Sequence, residues 1–382
     1  MKRWNKIKGE MQKKDISVLI TWHPPHTVYL STFFALTYSR PIITIFPLEQ
    51  EPTLIVPALD EEHAKKESVI NDIRSYVEFP LEKDEEKKET DPFQITKQVV
   101  ETLGLHKRNI GIEEKYCPLS SISLLKTIFP KATFSDTSEI IEQLRMVKSR
   151  NEIEAVTRAA ELAAYGVSRT IEKATEGLTE IQLDTMGNNA ILERSSIDFP
   201  ESVLRFTVNM SPSGPVRSAL PHVFSTSRKL KEGDSVIHTR VVSLSGYHGE
   251  CERTFIIGKP SQKQEKMFET MCTAQQAIIN AIKPGTKVSE LDRIARGIIT
   301  KAGFGKYFIH RSGHGIGLEL HERPSLKEED PTILEPGHIF SVEPGIYIPE
   351  FGGMRHSDTV LVTEDSYKIL TDFPKDLSSL TV

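Results

Sequence analysis

At 382 residues the chain is too long for one ordinary core and suits two, since single domains commonly run about 100–200 residues. A hydrophobic content of 38%, a charged content of 26% and a net charge of −5 describe a soluble globular protein without the basic excess that tracks a phosphate backbone, so nucleic acid is excluded as a partner. The basic N-terminus MKRWNKIKGEMQKKD lacks the apolar stretch of a secretory signal, and no later segment approaches ~20 uninterrupted apolar residues. A cytoplasmic location and no membrane partner are therefore expected. Cys117, Cys251 and Cys272 are odd in number and far apart, forming neither a disulfide framework nor a paired metal knuckle, and read as packing residues.

Residues 16–58 alternate short β-rich runs (ISVLI, TVYLS, PIITIF, PTLIV) with turn residues, and EEHAKKESVI and DPFQITKQVVETLG then read as helices. That pattern predicts a small α/β domain over 1–147. The charge run LEKDEEKKETD at 81–91 reads as a solvated loop. A second domain, 148–382, opens at RMVKSRNE: Ser149 with Glu152 three residues on makes a capping box for a long helix with Ile153, Val156, Ala160 and Ala163 on one face.

Inside the second domain the sequence repeats itself. GLTEIQL (177–183) and GTKVSELDRIA (285–295) each place a glycine turn before a Thr/Ser cap and an apolar helix. KEGDSVIHTRVV (231–242) and LEPGHIFSVEPG (334–345) each run from an acidic-glycine turn into a buried strand, followed by the return strands CERTFIIG and RHSDTVLVT. Two copies of helix–helix–strand–strand predict a pseudo-two-fold domain with a shared sheet, on whose midline side chains from equivalent strands converge.

Three stretches, SALPHVFSTSRKLKEGD, HRSGHGIGLELHE and FSVEPGIYIP, in this order and spacing, resemble the pita-bread superfamily that includes methionine aminopeptidase, aminopeptidase P, prolidase and creatinase. The resemblance implies a two-domain α/β chain: a small N-terminal creatinase/prolidase-like α/β domain and a C-terminal pseudo-two-fold α+β pita-bread domain. The peptidases of this group hold two metal ions on two aspartates, a histidine and two glutamates, and these positions fall here on Thr239, Glu250, His314, Glu343 and Ser357. Only His314 and Glu343 match in kind; Thr239 and Ser357 offer neutral hydroxyls where hard cations want carboxylates. The departure points to creatinase, which cleaves a C–N bond without metal and whose pattern on the return strand stands here as Glu252-Arg253-Thr254. By that resemblance the catalytic set is His222, His314, Glu252 and Glu343, with Tyr38, Arg40, His248, His321 and Arg323 as substrate-binding positions. The implied assembly is a homodimer in which the N-terminal domain, through Tyr38 and Arg40, caps the partner's site.

The residues themselves support a proton-transfer site. His222 follows a proline in a Ser-rich segment and so sits on a loop, where an imidazole takes a proton from water and returns it to a leaving nitrogen; its structural alternative is support of a peptide carbonyl. Glu252 and Glu343 come from the two repeat halves and face one cavity, where paired anions without a metal call for a cationic substrate group, unless one of them is salt-bridged to Arg253 or Arg355. His314 then donates to a substrate carbonyl or to Glu343. Gly313, Gly315 and Gly317 lack the Lys-Ser/Thr of a phosphate loop and read as tight backbone between strands.

Three function classes follow. The first is a metal-independent, creatinase-like hydrolase of a C–N bond in a small molecule carrying a carboxylate and a cationic group, with no cofactor. The second is a metal-dependent Xaa-Pro dipeptidase or aminopeptidase, with one Mn, Co or Zn ion on Glu250, His314 and Glu343. The third is a peptide-binding pseudoenzyme.

Overall fold

The structure, a computed structural model, describes residues 2–36, 39–79 and 89–382. The chain divides into two compact units, Met1–Arg145 and Met146–Val382. Tyr38 and positions 81–88 of the charge run lie outside the described residues.

The first unit carries strands β1 (Val18–Thr21), β2 (Ile43–Pro47), β3 (Thr53–Pro57), β4 (Asp72–Tyr76), β5 (Asn109–Ile112) and β6 (Thr133–Asp136), in the order β4-β3-β2-β1-β5-β6. Its helices are α1 (Lys2–Lys13), α2 (Pro24–Ser31), α3 (Glu61–Glu67), α4 (Pro92–Thr102), α5 (Leu119–Ile128) and α6 (Ser138–Met146). All four residues of central strand β1 are buried, which is why its sequence is a continuous run rather than an alternation. The expected strand at TVYLS is instead the body of α2. Pro24 and Pro25 preset the first helical turn, and the Glu113 carboxylate accepts from the backbone N–H groups of Trp22 and His23 at 3.2 Å each while pairing with the buried His26 ring. A β-branched pair is too weak a preference to resist that anchoring.

The second unit begins with α7 (Arg150–Ile171), α8 (Glu180–Asp198), β7 (Leu204–Met210), α9 (Gly214–Arg217), β8 (Ser235–Leu244) and β9 (Tyr247–Ile256). It continues with α10 (Gln262–Ala281), α11 (Val288–Lys301), β10 (His314–Gly315), β11 (Glu322–Ser325), β12 (Ile339–Val342), β13 (Gly345–Ile348), β14 (Gly352–Arg355), β15 (Ser357–Val362) and β16 (Tyr367–Ile369). An antiparallel sheet runs β11-β10-β12-β15-β9-β8-β7 with β16 beside β15, and β13 and β14 form a separate hairpin. The two return strands of the repeat, β9 and β15, pair at its centre with Glu252 opposite Ser357. Ala159, Ala163 and Val167 of α7 join Val242, Phe255 and Met271 in the main core.

Local chemistry sets the helix starts. Glu152 accepts from the Ser149 backbone N–H and hydroxyl at 2.9 and 2.7 Å, closing the box that begins α7, and Thr179 with Gln182 does the same for α8. The expected Thr/Ser cap of α11 differs: Lys287 occupies that position and makes no side-chain cap bond. The carbonyl of Thr332 accepts from Val288 N–H at 2.9 Å, so a neighbouring strand-like segment satisfies the donor a cap would have taken.

Helix α7 lies directly on β9 at Gly249, where a Cβ would meet Ala160 N at 2.1 Å and Ala159 C at 2.4 Å. Both obstacles are backbone and cannot rotate away. Gly249→Ala is therefore expected to destabilise the protein by about 1–3 kcal/mol through overpacking, read as a lower denaturant midpoint with an unchanged slope; an unaltered midpoint would show that the helix moves freely.

Candidate functional site

Side chains two apart on a strand share a face, and adjacent strands place opposite residues in rows. One such row crosses the centre of the second sheet, from Met210 on β7 to Thr239 on β8, Glu252 on β9 and Ser357 on β15. Val208, Val241 and Glu250 take the same face one step along. These side chains floor a cavity of about 310 Å³ whose lining also includes His222, Phe224, His310, Arg311, His314, Leu320, His321, Glu343 and Arg355.

His222, His314, Glu252 and Glu343 thus line one cavity, together with His321 and Glu250. His248 and Arg323, expected as substrate contacts, do not line it. The His248 ring turns to the Gly317 carbonyl at 2.9 Å, while Arg323 stands on edge strand β11 near Asp330. Arg40 belongs to the first unit and pairs with Glu78 at 2.6 Å.

The hydroxyls at positions 239 and 357 each hold a carboxylate. Thr239 donates to Glu252 at 2.7 Å and Ser357 to Glu250 at 2.6 Å. Glu252 is further clamped by Arg355, whose Nη2 donates to Oε1 at 2.7 Å and whose Nε reaches Oε2. The cationic substrate group expected between Glu252 and Glu343 is thus supplied to Glu252 by the protein itself. Sequence reading raised Arg355 as a salt-bridge partner but left it out of the site. From Arg355 a chain of polar groups runs outward: Nη1 donates to the Tyr347 hydroxyl at 3.0 Å, that hydroxyl lies 2.9 Å from His310 Nε2, and His310 Nδ1–H donates to the Arg311 carbonyl at 2.7 Å.

Glu250, His314 and Glu343 have no such neutralisation. One donor atom from each lies within 4.8 Å of the others, with His314 Nε2 at 3.3 Å from Glu343 and 3.7 Å from Glu250. His314 Nδ1 is 3.1 Å from the Gly315 carbonyl, a contact only its N–H makes, so in the neutral ring Nε2 presents a lone pair to the two carboxylates. Burial holds this imidazole well below its ordinary pKa, helped by His321 and Arg311, so it stays neutral. Burial likewise raises Glu250 well above the carboxylate range, with Glu343 and Glu252 adding to it, and pushes Glu343 up to about 7, with Glu252 adding to it. Three buried bases aimed at one point are the donor set of a divalent cation, two oxygens and one nitrogen of the kind that zinc, manganese and cobalt accept. The placement follows from the fold: Glu250 lies on β9, His314 on β10, and Glu343 directly after β12, where its N–H donates to the Ser312 carbonyl at 2.8 Å.

Buried metal-binding donors on a pseudo-symmetric antiparallel sheet define a metallohydrolase type of site. The chain belongs to metallopeptidase family M24, which matches residues 154–364, and residues 3–147 match the creatinase/prolidase N-terminal domain. It is 32% identical to an Xaa-Pro dipeptidase of Pyrococcus horikoshii over 372 residues, covering 97% of each chain. Among solved structures it is similar to the prolidase from Pyrococcus horikoshii OT3, with a TM-score of 0.83, 31% identity and coverage of 99% of this chain and 100% of the other. An Xaa-Pro dipeptidase from Bacillus anthracis superposes with a TM-score of 0.86 at 28% identity, over 100% and 99% of the two chains.

These relationships correct two expectations: a creatinase-like, metal-independent reaction, and the absence of a cofactor. The relatives are dipeptidases of a metallopeptidase family, and the structure retains a three-donor cluster. The expectation failed because it counted Thr239 and Ser357 as ligands lost. In the fold they act on neighbouring carboxylates, and the three remaining donors still converge.

A pH dependence follows from Glu343. In metal-stripped protein the native carboxyl holds its proton up to about 7, whereas the unfolded one releases it near 4.5. Between those values the native state binds more protons, so stability falls as pH rises through the window. Denaturation midpoints taken with chelator are expected to drop from pH 5 to pH 7.5, and Glu343→Gln to flatten that slope; a midpoint rising with pH in both proteins would contradict the assignment.

Proposed function

We propose that this chain is a metal-dependent Xaa-Pro dipeptidase whose single divalent ion, Mn, Co or Zn, is held by Glu250, His314 and Glu343. The observation that carries this reading is the convergence of those three buried donors, with the His314 lone pair directed at two carboxylates. Membership of a metallopeptidase family and likeness to Xaa-Pro dipeptidases support it. The chemistry such an ion supplies when bound is polarisation of a carbonyl and acidification of water. The remaining steps fall to side chains. Val208, Met210, Val241 and Leu320 form an apolar wall suited to a pyrrolidine ring. His222, exposed on a loop at the cavity, transfers a proton to the leaving nitrogen, and Glu343 accepts one from water. Arg355, Thr239 and Tyr347 fix Glu252 and so keep the floor rigid.

The dimer belongs to the same reading. Phe224 at the cavity, and Leu220 and Ile309 next in sequence to its lining, are exposed apolar side chains of the kind a second subunit covers. Arg40 of the partner subunit, if it caps the site, must exchange its Glu78 pair for the substrate.

Purified protein is expected to hydrolyse Ala-Pro with added Mn, Co or Zn and to lose that activity in chelator, with about one ion bound per chain by elemental analysis. His314→Ala and Glu343→Gln are expected to lose both ion and turnover. Hydrolysis that persists in chelator, or no Xaa-Pro turnover under any metal, would overturn the proposal. His222→Ala is expected to lower kcat by about 10²–10⁴-fold while KM changes little, measured by steady-state kinetics.

A further inference from the structure

Two arginines line the cavity, and they differ in what they face. Arg355 is committed to Glu252. Arg311 has no carboxylate within ion-pairing distance among the described residues; its one printed side-chain bond runs from Nη1 to the Ser325 hydroxyl at 3.1 Å. Elsewhere in this unit the buried arginines have acidic partners: Arg253 pairs with Asp358 at 2.7 Å and Arg240 approaches Asp184 at 3.6 Å. A half-buried guanidinium left without an anion inside a cavity that already contains its own carboxylates is a binding feature, because its charge could otherwise have been spent on Glu343 nearby.

We propose that Arg311 is the anion anchor of this cavity and takes a carboxylate of the substrate. The inference rests on the peptidase reading above and deepens it. Ser325 holds one donor of the fork and orients the plane, leaving the remaining N–H groups for a bidentate carboxylate, a geometry lysine cannot reproduce. The charge also reaches the neighbouring groups: Arg311 contributes to holding His314 and His321 below their ordinary values and offsets part of the upward push on Glu343. The guanidinium therefore stands close enough to the cavity floor for one small substrate to touch both. With the metal-binding donors at one place and a guanidinium at another, the cavity is complementary to a molecule with a scissile carbonyl and an anionic group.

Two sources supply that anion: the C-terminal carboxylate of a dipeptide, or an acidic side chain in its first residue. The test compares wild type, Arg311→Gln and Arg311→Lys on Ala-Pro, Ala-Pro-amide and Asp-Pro with metal present. If the terminal carboxylate is bound, wild type prefers Ala-Pro over its amide, and Arg311→Gln raises KM for Ala-Pro by about 10–100-fold, the range of a charge-assisted hydrogen bond, while the amide is unaffected. If an acidic side chain is bound, the loss is confined to Asp-Pro. Arg311→Lys is expected to recover only part of either. Equal KM values for every substrate across the three proteins would overturn the proposal. Calorimetric binding of N-acetylproline and its amide, with and without metal, provides a readout independent of turnover. Selective loss of N-acetylproline binding in Arg311→Gln upholds the anchor even if no Xaa-Pro dipeptide is cleaved, and identical binding to wild type and variant rejects it even if one is. Circular dichroism and denaturation confirm that each variant is folded.

Discussion

Everything in the second unit is arranged around the burial of like charge. Glu250, Glu252 and Glu343 enter one cavity from two strands and a strand end, and uncompensated anions in so dry a place are strongly disfavoured. The protein resolves the conflict in two ways. Glu252 receives an internal cation, Arg355, together with the Thr239 hydroxyl. Glu250 and Glu343 receive only a neutral imidazole and a serine hydroxyl, which leaves the pair to be satisfied from outside the chain. The difference in treatment separates a structural carboxylate from functional ones on the same face of the same sheet.

Such a site depends on the sheet beneath it. The row from Met210 to Ser357 requires four strands in fixed alignment, and β9 and β15 come from different halves of the internal repeat. Below them on the opposite face, Arg253 and Lys375 outweigh burial to hold the Asp358 carboxyl down to about 2, and Gln275 donates to the same residue at 3.0 Å. The two faces of one pair of strands thus hold charge with opposite outcomes: fully paired below, selectively unpaired above. Asp358 is locked; Glu250 and Glu343 are ready for a cation.

Much of this was legible in the sequence. The repeat of turn, cap, helix and strand gave the pseudo-symmetric sheet, and alternation along GECERT put Glu250 and Glu252 on one face. The helix at TVYLS was not legible, because its anchor is Glu113, a carboxylate more than eighty residues away. The cap of α11 was hidden for the same reason, its first donor being satisfied by Thr332 across a loop. Arg355 and Arg311 show the limit most clearly: both were visible as arginines near motifs, but whether each is paired or unpaired depends on the β13–β14 hairpin and on Ser325, contacts that no local pattern encodes. Thr239 and Ser357 were read as missing ligands because the sequence displays substitutions one position at a time, whereas the sheet lets a residue act through its neighbour.

The close contact at Gly249 has one more consequence. Because β9 is pressed against the backbone of α7, it has no freedom to slide, and the residue types along it make a slip conspicuous: moving by one position would withdraw Glu250 and Glu252 and present Cys251 and Arg253 instead. The polarity of the cavity would invert from anionic to cationic, while a guanidinium now buried beside Asp358 would leave its partner stranded on the far side. A misaligned strand in this molecule is therefore a different electrostatic object, repelling the very ion that stabilises the correct one, so ligand binding during folding would itself proofread the alignment.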